Sequence, residues 1–431
     1  MVLKVYAEVY GCAANQADGE IVLGLLEGAG FSIVDKPDEA DLNVLVTCAV
    51  KKPTSDRMLE RAKKLHESGK PLLIAGCMVT AEWETIRKVA PSAIFIGPRD
   101  VCKVVEVVSK RMNLEYDNTV SNTHSKLGLR RHRKNKVIGI VPVSEGCRWA
   151  RCTFCVIPIA RGPFFSYPMS EVVEEARRML EDGCREIWLT SQDMGSYGLD
   201  FGRNMLPDLI NEVARLHGEF FIRVGMMNPI YLGPILDRLI TSYLNPKVFK
   251  FLHLPLQSGS AKVLRDMDRG YTPQLYQKIV EKFRESIPEL TLATDIIVGY
   301  PTETEEDFEM TIKVLNEVKP DIVNISKFYP RPGTPANKLP RLPSRLVDER
   351  SKVMTEICKE LSIKSNEKWI GWHGLALVDE VGKYGEMVCR NVSYKPIVLD
   401  TKRDLLGKFV EVSVVDAAAY CLFGKLENIL S

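Results

Sequence analysis

Three cysteines, Cys147, Cys152 and Cys155, fall within nine residues of the stretch 144–162, SEGCRWARCTFCVIPIARG. Three thiolates on one short loop can each hold one iron of a [4Fe–4S] cluster and leave the fourth iron open to chelate a small molecule. Structural zinc is the competing chemistry, but it wants four ligands, and no fourth Cys or His adjoins these three. Three reduced, buried thiols are the remaining alternative. A second set is dispersed. Tyr10-Gly11-Cys12, Val46-Thr47-Cys48 and Ala75-Gly76-Cys77 each place a cysteine after a short apolar run. Small buried residues that follow strands give such a pattern; so does a second three-cysteine iron–sulfur site, if the runs share a sheet.

The surrounding pattern supplies that sheet. Over residues 1–120, strand-like runs at 3–10, 41–46, 71–75 and 92–96 alternate with helical patterns at 17–28, 54–68 and 81–89. This alternation predicts an α/β domain with a doubly wound parallel sheet. In such a sheet all strand C-termini share one edge, and ligands bind there. Cysteines 36 and 29 residues apart then meet at one place.

Residues 137–345 carry six strand signals, at 137–143, 186–191, 220–225, 249–254, 291–298 and 322–328. Helical patterns at 170–181, 206–216, 273–286 and 305–317 lie between them. The prediction is a partial (β/α)6 barrel with its chemistry at the C-terminal ends of the strands. The compact cysteine triplet leaves the first of these strands. Ser191, Gln192 and Asp193 follow the second; their groups suit an amino-acid moiety, or turn chemistry. Arg223 in the third and Asp295 in the fifth need partners if they are buried. His253 ends the fourth, and Arg331 follows the sixth, to face substrate or tie down its loop. A charged helix is expected at 346–366. Short β runs with glycine punctuation at 374–380, 386–400, 408–415 and 420–430 predict a small barrel over 367–431.

Charge is ordinary overall: of 431 residues 26% are charged and the net charge is +2, which excludes a global polycation. Cations concentrate in 121–136, SNTHSKLGLRRHRKNK, through Lys126, Arg130, Arg131, Arg133, Lys134 and Lys136. That run reads as a linker, either simply solvated or facing a phosphate backbone. No apolar run approaches a membrane span. The eleven cysteines, with no signal-peptide pattern at the N-terminus, point to a reducing, cytoplasmic setting without a membrane partner.

The triplet, with Phe154 before its last cysteine, resembles the radical S-adenosylmethionine (SAM) signature, and Pro158 with Arg161-Gly162 resembles its methylthiotransferase branch. One departure stands out: that pattern is C-x3-C-x2-C, whereas four residues separate Cys147 from Cys152 here. Tyr10-Gly11-Cys12 with Asn15, Asp18 and Glu20, then Thr47-Cys48-Ala49-Val50 and Gly76-Cys77-Met78, resemble the same family's N-terminal domain. Asn15, Asp18 and Glu20 could equally cap the first helix. The stretch from His253 to Ser260, with Met267, Arg269 and Tyr271, resembles a further family motif, and the last segment resembles a TRAM domain. Ser191–Asp193, 223–229 and 329–335 are most similar to the archaeal and eukaryotic branch, which methylthiolates threonylcarbamoyladenosine in tRNA.

What the resemblance implies is concrete. Cys147, Cys152 and Cys155 would hold a [4Fe–4S] cluster that reduces SAM, and Cys12, Cys48 and Cys77 a second one that handles sulfur. Phe154, Ser191, Gln192, Asp193, Arg223, His253 and Asp295 would place SAM or substrate. Arg130, Arg131, Arg133, Lys134, Lys136, Arg331, Arg390 and Lys395 would meet RNA, along with Lys383, Lys402, Arg403 and Lys408. The partners would be the tRNA anticodon loop, an external electron donor and a sulfur donor. A different tRNA adenosine, a ribosomal-protein aspartate, or a non-catalytic RNA-binding iron–sulfur role are the alternatives.

Overall fold

The computed structural model describes residues 2–50, 52–114 and 125–430; positions 121–124 of the basic stretch lie outside the described residues. The chain opens with β1 (Lys4–Val9), α1 (Ala13–Gly28), β2 (Ser32–Val34), β3 (Leu42–Thr47), α2 (Lys52–Glu67), β4 (Leu72–Gly76), α3 (Cys77–Ala81), α4 (Trp83–Val89), β5 (Ile94–Ile96) and α5 (Val104–Met112). Its five strands make one parallel sheet in the order β2-β1-β3-β4-β5. β3 and β4 are buried along their whole length. Helices on both faces require this, and it explains their unbroken aliphatic runs. The edge strand β2, three half-buried residues, carries no such pattern and went unpredicted. The winding reverses between β1 and β3, where a parallel sheet leaves a crevice at its strand C-termini.

The second unit runs β6 (Ile138–Pro142), β7 (Ser144–Glu145), α6 (Ile157–Arg161), β8 (Phe165–Ser166), α7 (Met169–Glu181), β9 (Glu186–Thr190), α8 (Leu206–Ala214), β10 (Phe221–Val224), α9 (Leu236–Tyr243), β11 (Phe251–His253), α10 (Ala261–Asp266), α11 (Pro273–Ser286), β12 (Thr291–Val298), α12 (Glu305–Val318) and β13 (Ile322–Lys327). The parallel sheets β10-β9-β6 and β11-β12-β13 join through a parallel bridge between Ile222 and Val248. Six strands thus follow chain order around the predicted partial barrel. Ile187, Leu189, Ile222 and Leu252 pack outward on the helices, against Val172, Leu209, Leu239 and Ile279. Side-chain alternation therefore turns Trp188, Arg223 and His253 inward.

α13 (Ser344–Glu367) leads to β14 (His373–Val381), β15 (Met387–Asn391), β16 (Pro396–Leu399), β17 (Phe409–Ala417) and β18 (Leu422–Ile429), which close into a barrel ordered β14-β15-β16-β18-β17. The run at 386–400 is two strands, β15 and β16, parted by a turn with Tyr394 at φ 62. This barrel docks under the N-terminal ends of the six strands. Leu377, Tyr394 and Phe409 share an apolar cluster with Val137, Phe221, Phe249, Phe251 and Ala293. The opposite, C-terminal edge of the strands is left to the N-terminal domain.

Candidate active site

The dispersed cysteines come together at one sheet edge. Cys12 follows β1, Cys48 follows β3, and Cys77 opens α3 directly after β4. The glycines before Cys12 and Cys77 make the turns possible. Gly11 has φ +116, and a Cβ on it would lie 2.9 Å from the Cys48 Cβ; Gly76 has φ +95, and a Cβ there would lie 2.4 Å from the Thr47 carbonyl oxygen. Asn15 ties the strand ends, its Nδ2 donating to the carbonyls of Tyr10 (2.9 Å) and Thr47 (2.8 Å). The Cys77 thiol lies 3.5 Å from Asn15 Oδ1. Burial, and then the sister thiolates, push Cys77 up to about 12, and burial with Cys12 pushes Cys48 up.

The compact triplet follows β6 and β7. Burial raises Cys147 to about 11, with Asp193 the next cause, and Cys155 to about 12, with Cys152 the next. Arg269 Nη1 lies 3.2 Å from Cys152 Sγ, and its guanidinium lies over the Tyr271 ring. Phe154 packs against Val263, Met267, Tyr300 and Ala336. At the end of β9, Ser191 Oγ accepts from the Asp193 N–H at 3.1 Å. Asp193 Oδ1 accepts from the N–H groups of Gly195 (3.0 Å) and Asn228 (2.9 Å). Asp193 Oδ2 and Gln192 Oε1 are buried without a partner, and burial pushes Asp193 up to about 6. Two orphaned acceptors thus sit near Cys147, fit for an ammonium group.

Among the described residues no three His, Cys, Asp or Glu side chains gather closely enough to hold a single metal ion. Zinc needs that convergence. A four-iron cluster takes one thiolate per iron around a cube, and sulfur-only trios suit it.

The two trios face one domain seam. α6 begins two residues after Cys155 and packs on α3, which begins at Cys77. Cys48, Cys77, Met58, Val156 and Ala160 share an apolar cluster. Arg161, at the end of α6, is 1% exposed and donates to Asp18 (2.8 Å), Glu145 (3.0 Å) and Asn15 (2.8 Å). Lys126 completes the ring through Asp18 (2.6 Å) and Glu145 (2.7 Å). Asn15 and Asp18 therefore do not cap α1, which has no side-chain cap. They bind the two domains together, while Glu20 lies 3.6 Å from Arg131.

Inside the barrel, His253 Nε2 meets Asp295 at 2.9 Å, and Asn324 donates to the same carboxylate at 3.0 Å, so the strand carboxylate is paired. Arg223 has its guanidinium over the rings of Trp188 (4.7 Å), Phe251 (5.1 Å) and Tyr394 (5.3 Å). Its neighbours are rings, including one from the C-terminal barrel.

The cations assigned to RNA divide. Arg130, Lys134 and Lys136 are exposed, Arg130 pairing with Glu27. Arg131 is drawn inward to Glu175 at 3.0 Å, and Arg133 to Asp182 and the Cys184 thiol. Arg331 is buried on Glu82 (3.0 Å). Arg390 pairs with Asp379 (3.3 Å) and Glu380 (3.0 Å), and Lys395 with Asp321 (2.8 Å). For Arg131, Arg133, Arg331 and Lys395 the expectation of a phosphate partner gives way to carboxylates from distant parts of the chain, and for Arg390 to carboxylates of the neighbouring strand β14. Residues 125–136 accordingly form a packed strap: the His132 N–H donates to Glu20, and the backbone of Arg130 fits against Gly24.

Two family models match the chain: the radical SAM superfamily over residues 141–315, and the uncharacterized protein family UPF0004 over residues 4–97. A probable threonylcarbamoyladenosine tRNA methylthiotransferase of Pyrococcus horikoshii is 40% identical over 99% of this chain and 100% of its own length. The chain belongs to the threonylcarbamoyladenosine tRNA methylthiotransferase family. A Drosophila melanogaster member is 36% identical over 98% of this chain and 77% of its own. Among solved structures, the radical SAM methyltransferase TsrM of Kitasatospora setae, with tryptophan and a SAM analogue bound, superposes with a TM-score of 0.57 at 14% identity, over 78% of this chain and 75% of its own. That likeness concerns the fold alone. No helix among the described residues is long and apolar enough to cross a membrane.

In the sequence Arg161 and Arg269 stand out only as motif residues, and Glu145, Trp149 and Tyr394 do not stand out. A basic residue inside an apolar helix or beside a cysteine loop was the available signal, since buried cations need partners.

Proposed function

We propose that this chain transfers a methylthio group to C2 of N6-threonylcarbamoyladenosine at position 37 of tRNA, using SAM and two [4Fe–4S] clusters, in the cytoplasm. The observation that carries the reading is the seam, where α3, which opens at Cys77, packs on α6, which begins two residues after Cys155. Cys147, Cys152 and Cys155 suit the cluster that binds SAM, and Cys12, Cys48 and Cys77 the cluster that handles sulfur. When bound, these groups supply the one-electron chemistry needed at an aromatic C–H that no side-chain base can deprotonate.

The chain's own residues do the rest. Asp193 Oδ2 and Gln192 Oε1 offer acceptors to the SAM ammonium, with Ser191 holding the Asp193 turn. Phe154 fixes the loop against the barrel, and Arg269 holds Cys152. The rings around Arg223 cover its faces and leave its N–H edge available to an anionic group. The pair His253–Asp295 keeps the inner wall polar where an unstacked base must enter. Arg130, Lys134 and Lys136, with the exposed Lys383, Lys402, Arg403 and Lys408, carry the charge for the anticodon arm. An external reductant and a sulfur donor complete the cycle.

The test is nucleoside mass spectrometry of tRNA from an anaerobic host that lacks this modification, with Cys147→Ala as control. A methylthio derivative of threonylcarbamoyladenosine in the wild type alone is expected. Its absence, with iron loaded at both trios and a reductant present, would overturn the reading.

A further inference from the structure

The loop between Cys147 and Cys152 holds four residues, Arg148-Trp149-Ala150-Arg151, one more than the pattern it resembles. Resting on the reading of this triplet as cluster ligands, we propose that Trp149 is the positioning residue that lets the longer loop present its cysteines. Ala150 takes up the extra length at φ +45, in the left-handed region that residues with a Cβ avoid. Such a conformation persists only where its surroundings hold it.

Trp149 supplies the hold. Its indole N–H donates to the Asp268 carbonyl at 2.5 Å. Its ring lies on Gly270, where a Cβ would come within 2.4 Å of two ring carbons. Arg151 covers the outer side, donating to the Asp268 carboxylate at 3.1 Å with its guanidinium 5.2 Å from the Trp149 ring centre. The same stretch of chain grips the other end of the loop. The Thr153 N–H donates to the Met267 carbonyl at 3.1 Å, the Thr153 hydroxyl donates to the Asp266 carbonyl at 3.0 Å, and Arg269 reaches Cys152 at 3.2 Å. Residues 266–270 are therefore a brace with Cys152 fixed between two anchors, and Trp149 is the anchor on the side of the extra residue. Once it is removed, Cys147 is free to swing away from Cys152 and Cys155.

The test uses the full-length chain with Cys12, Cys48 and Cys77 changed to Ala, so that only the barrel trio can hold iron. After anaerobic reconstitution the parent is expected to hold about four irons per chain. Trp149→Ala is expected to lose at least half of that iron and to lose the change in the reduced cluster's electron paramagnetic resonance spectrum on adding SAM. Deleting Ala150 in the Trp149→Ala chain is expected to restore both, because the shortened loop needs no left-handed residue. Rescue by deletion separates positioning from general destabilisation, which a further deletion would worsen. Iron loading by Trp149→Ala equal to the parent's overturns the inference, as does a deletion that restores nothing. A parent chain that binds no iron overturns the cluster reading on which the inference rests, a separate and recognisable result.

Discussion

Replacing Arg161 by Met tests whether the seam between the two cysteine trios is an electrostatic joint. The ring Lys126–Asp18–Arg161–Glu145 holds two positive and two negative charges, and each of the four residues is at most 3% exposed. Met keeps the aliphatic stem and removes the guanidinium. Asp18 and Glu145 then share one lysine, the ring carries a net negative charge away from water, and Asn15 Oδ1 keeps only the Cys77 thiol at 3.5 Å. Breaking a buried pair on one side costs about 3–5 kcal/mol, and the lost Arg161–Asn15 hydrogen bond adds about 1 kcal/mol. A loss of about 4–6 kcal/mol is a large part of a domain's stability. The assay is native-state hydrogen exchange of α1 and α6 in the metal-free chain, with urea midpoints as the global check. Adding Asp18→Asn leaves Lys126 facing Glu145 alone and restores neutrality, so the double variant should regain about 2 kcal/mol or more. A cost for Arg161→Met below about 1 kcal/mol would refute the reasoning, as would a double variant less stable than the single one.

Other perturbations probe the remaining joints. Glu186 and Asp379, one from each barrel, lie together, and burial raises both, Glu186 to about 8. A raised carboxyl contributes its full stability below the usual carboxylate range and loses it as pH rises through its folded value. The melting temperature should therefore fall between about pH 5 and 8 and level off above that, and Glu186→Gln should flatten that slope; an unchanged slope would count against a shared proton. Lys134→Glu and Lys136→Glu should each weaken tRNA binding and reduce the salt dependence of log K by roughly 0.7–0.9, measured by filter binding. Arg133→Gln should lower stability and leave the salt slope alone, because its guanidinium is held inside. Lys395→Met takes the nearest cation from Asp321, which keeps the Leu292 N–H, the Ser365 hydroxyl and Arg284 at 3.9 Å, and should cost about 1–3 kcal/mol, read as earlier loss of the C-terminal barrel in limited proteolysis.

The architecture was legible because its signals are local. β3 and β4 are aliphatic runs between helical periods, and the glycine before Cys12 or Cys77 marks a turn that excludes a side chain. The topology then did what spacing could not: parallel strands carried Cys12, Cys48 and Cys77 to one edge. What escaped was either too short, such as β2, or hidden inside a longer β run, such as the break between β15 and β16. The docking of the C-terminal barrel under the catalytic one escaped for another reason. Phe221, Phe249 and Phe251 look like ordinary strand residues until Tyr394 meets them.

The destination of a cation was not legible, and the reason is general. A run such as Arg130–Lys136 states how much charge is present, but whether it faces solvent depends on carboxylates elsewhere in the chain. Lys126 finds Asp18 at a separation of 108 residues, and Arg161 finds it across 143. Both pairs form only because two domains close on each other. Burying such charges is costly unless they are fully paired, so a cation paired across two domains also reports a fixed contact between them. Lys126 and Arg161 fix the N-terminal sheet against the cysteine loop, Arg331 fixes the turn after β13 against Glu82, and Lys395 fixes the C-terminal barrel against Asp321. The residues left outside this accounting, Lys134 and Lys136, directly precede β6, an unpaired edge of the open barrel. Asn135 between them donates to the Asp379 carbonyl of β14 at 2.8 Å, so both cations lie at the N-terminal end of the barrel strands, beside the C-terminal barrel.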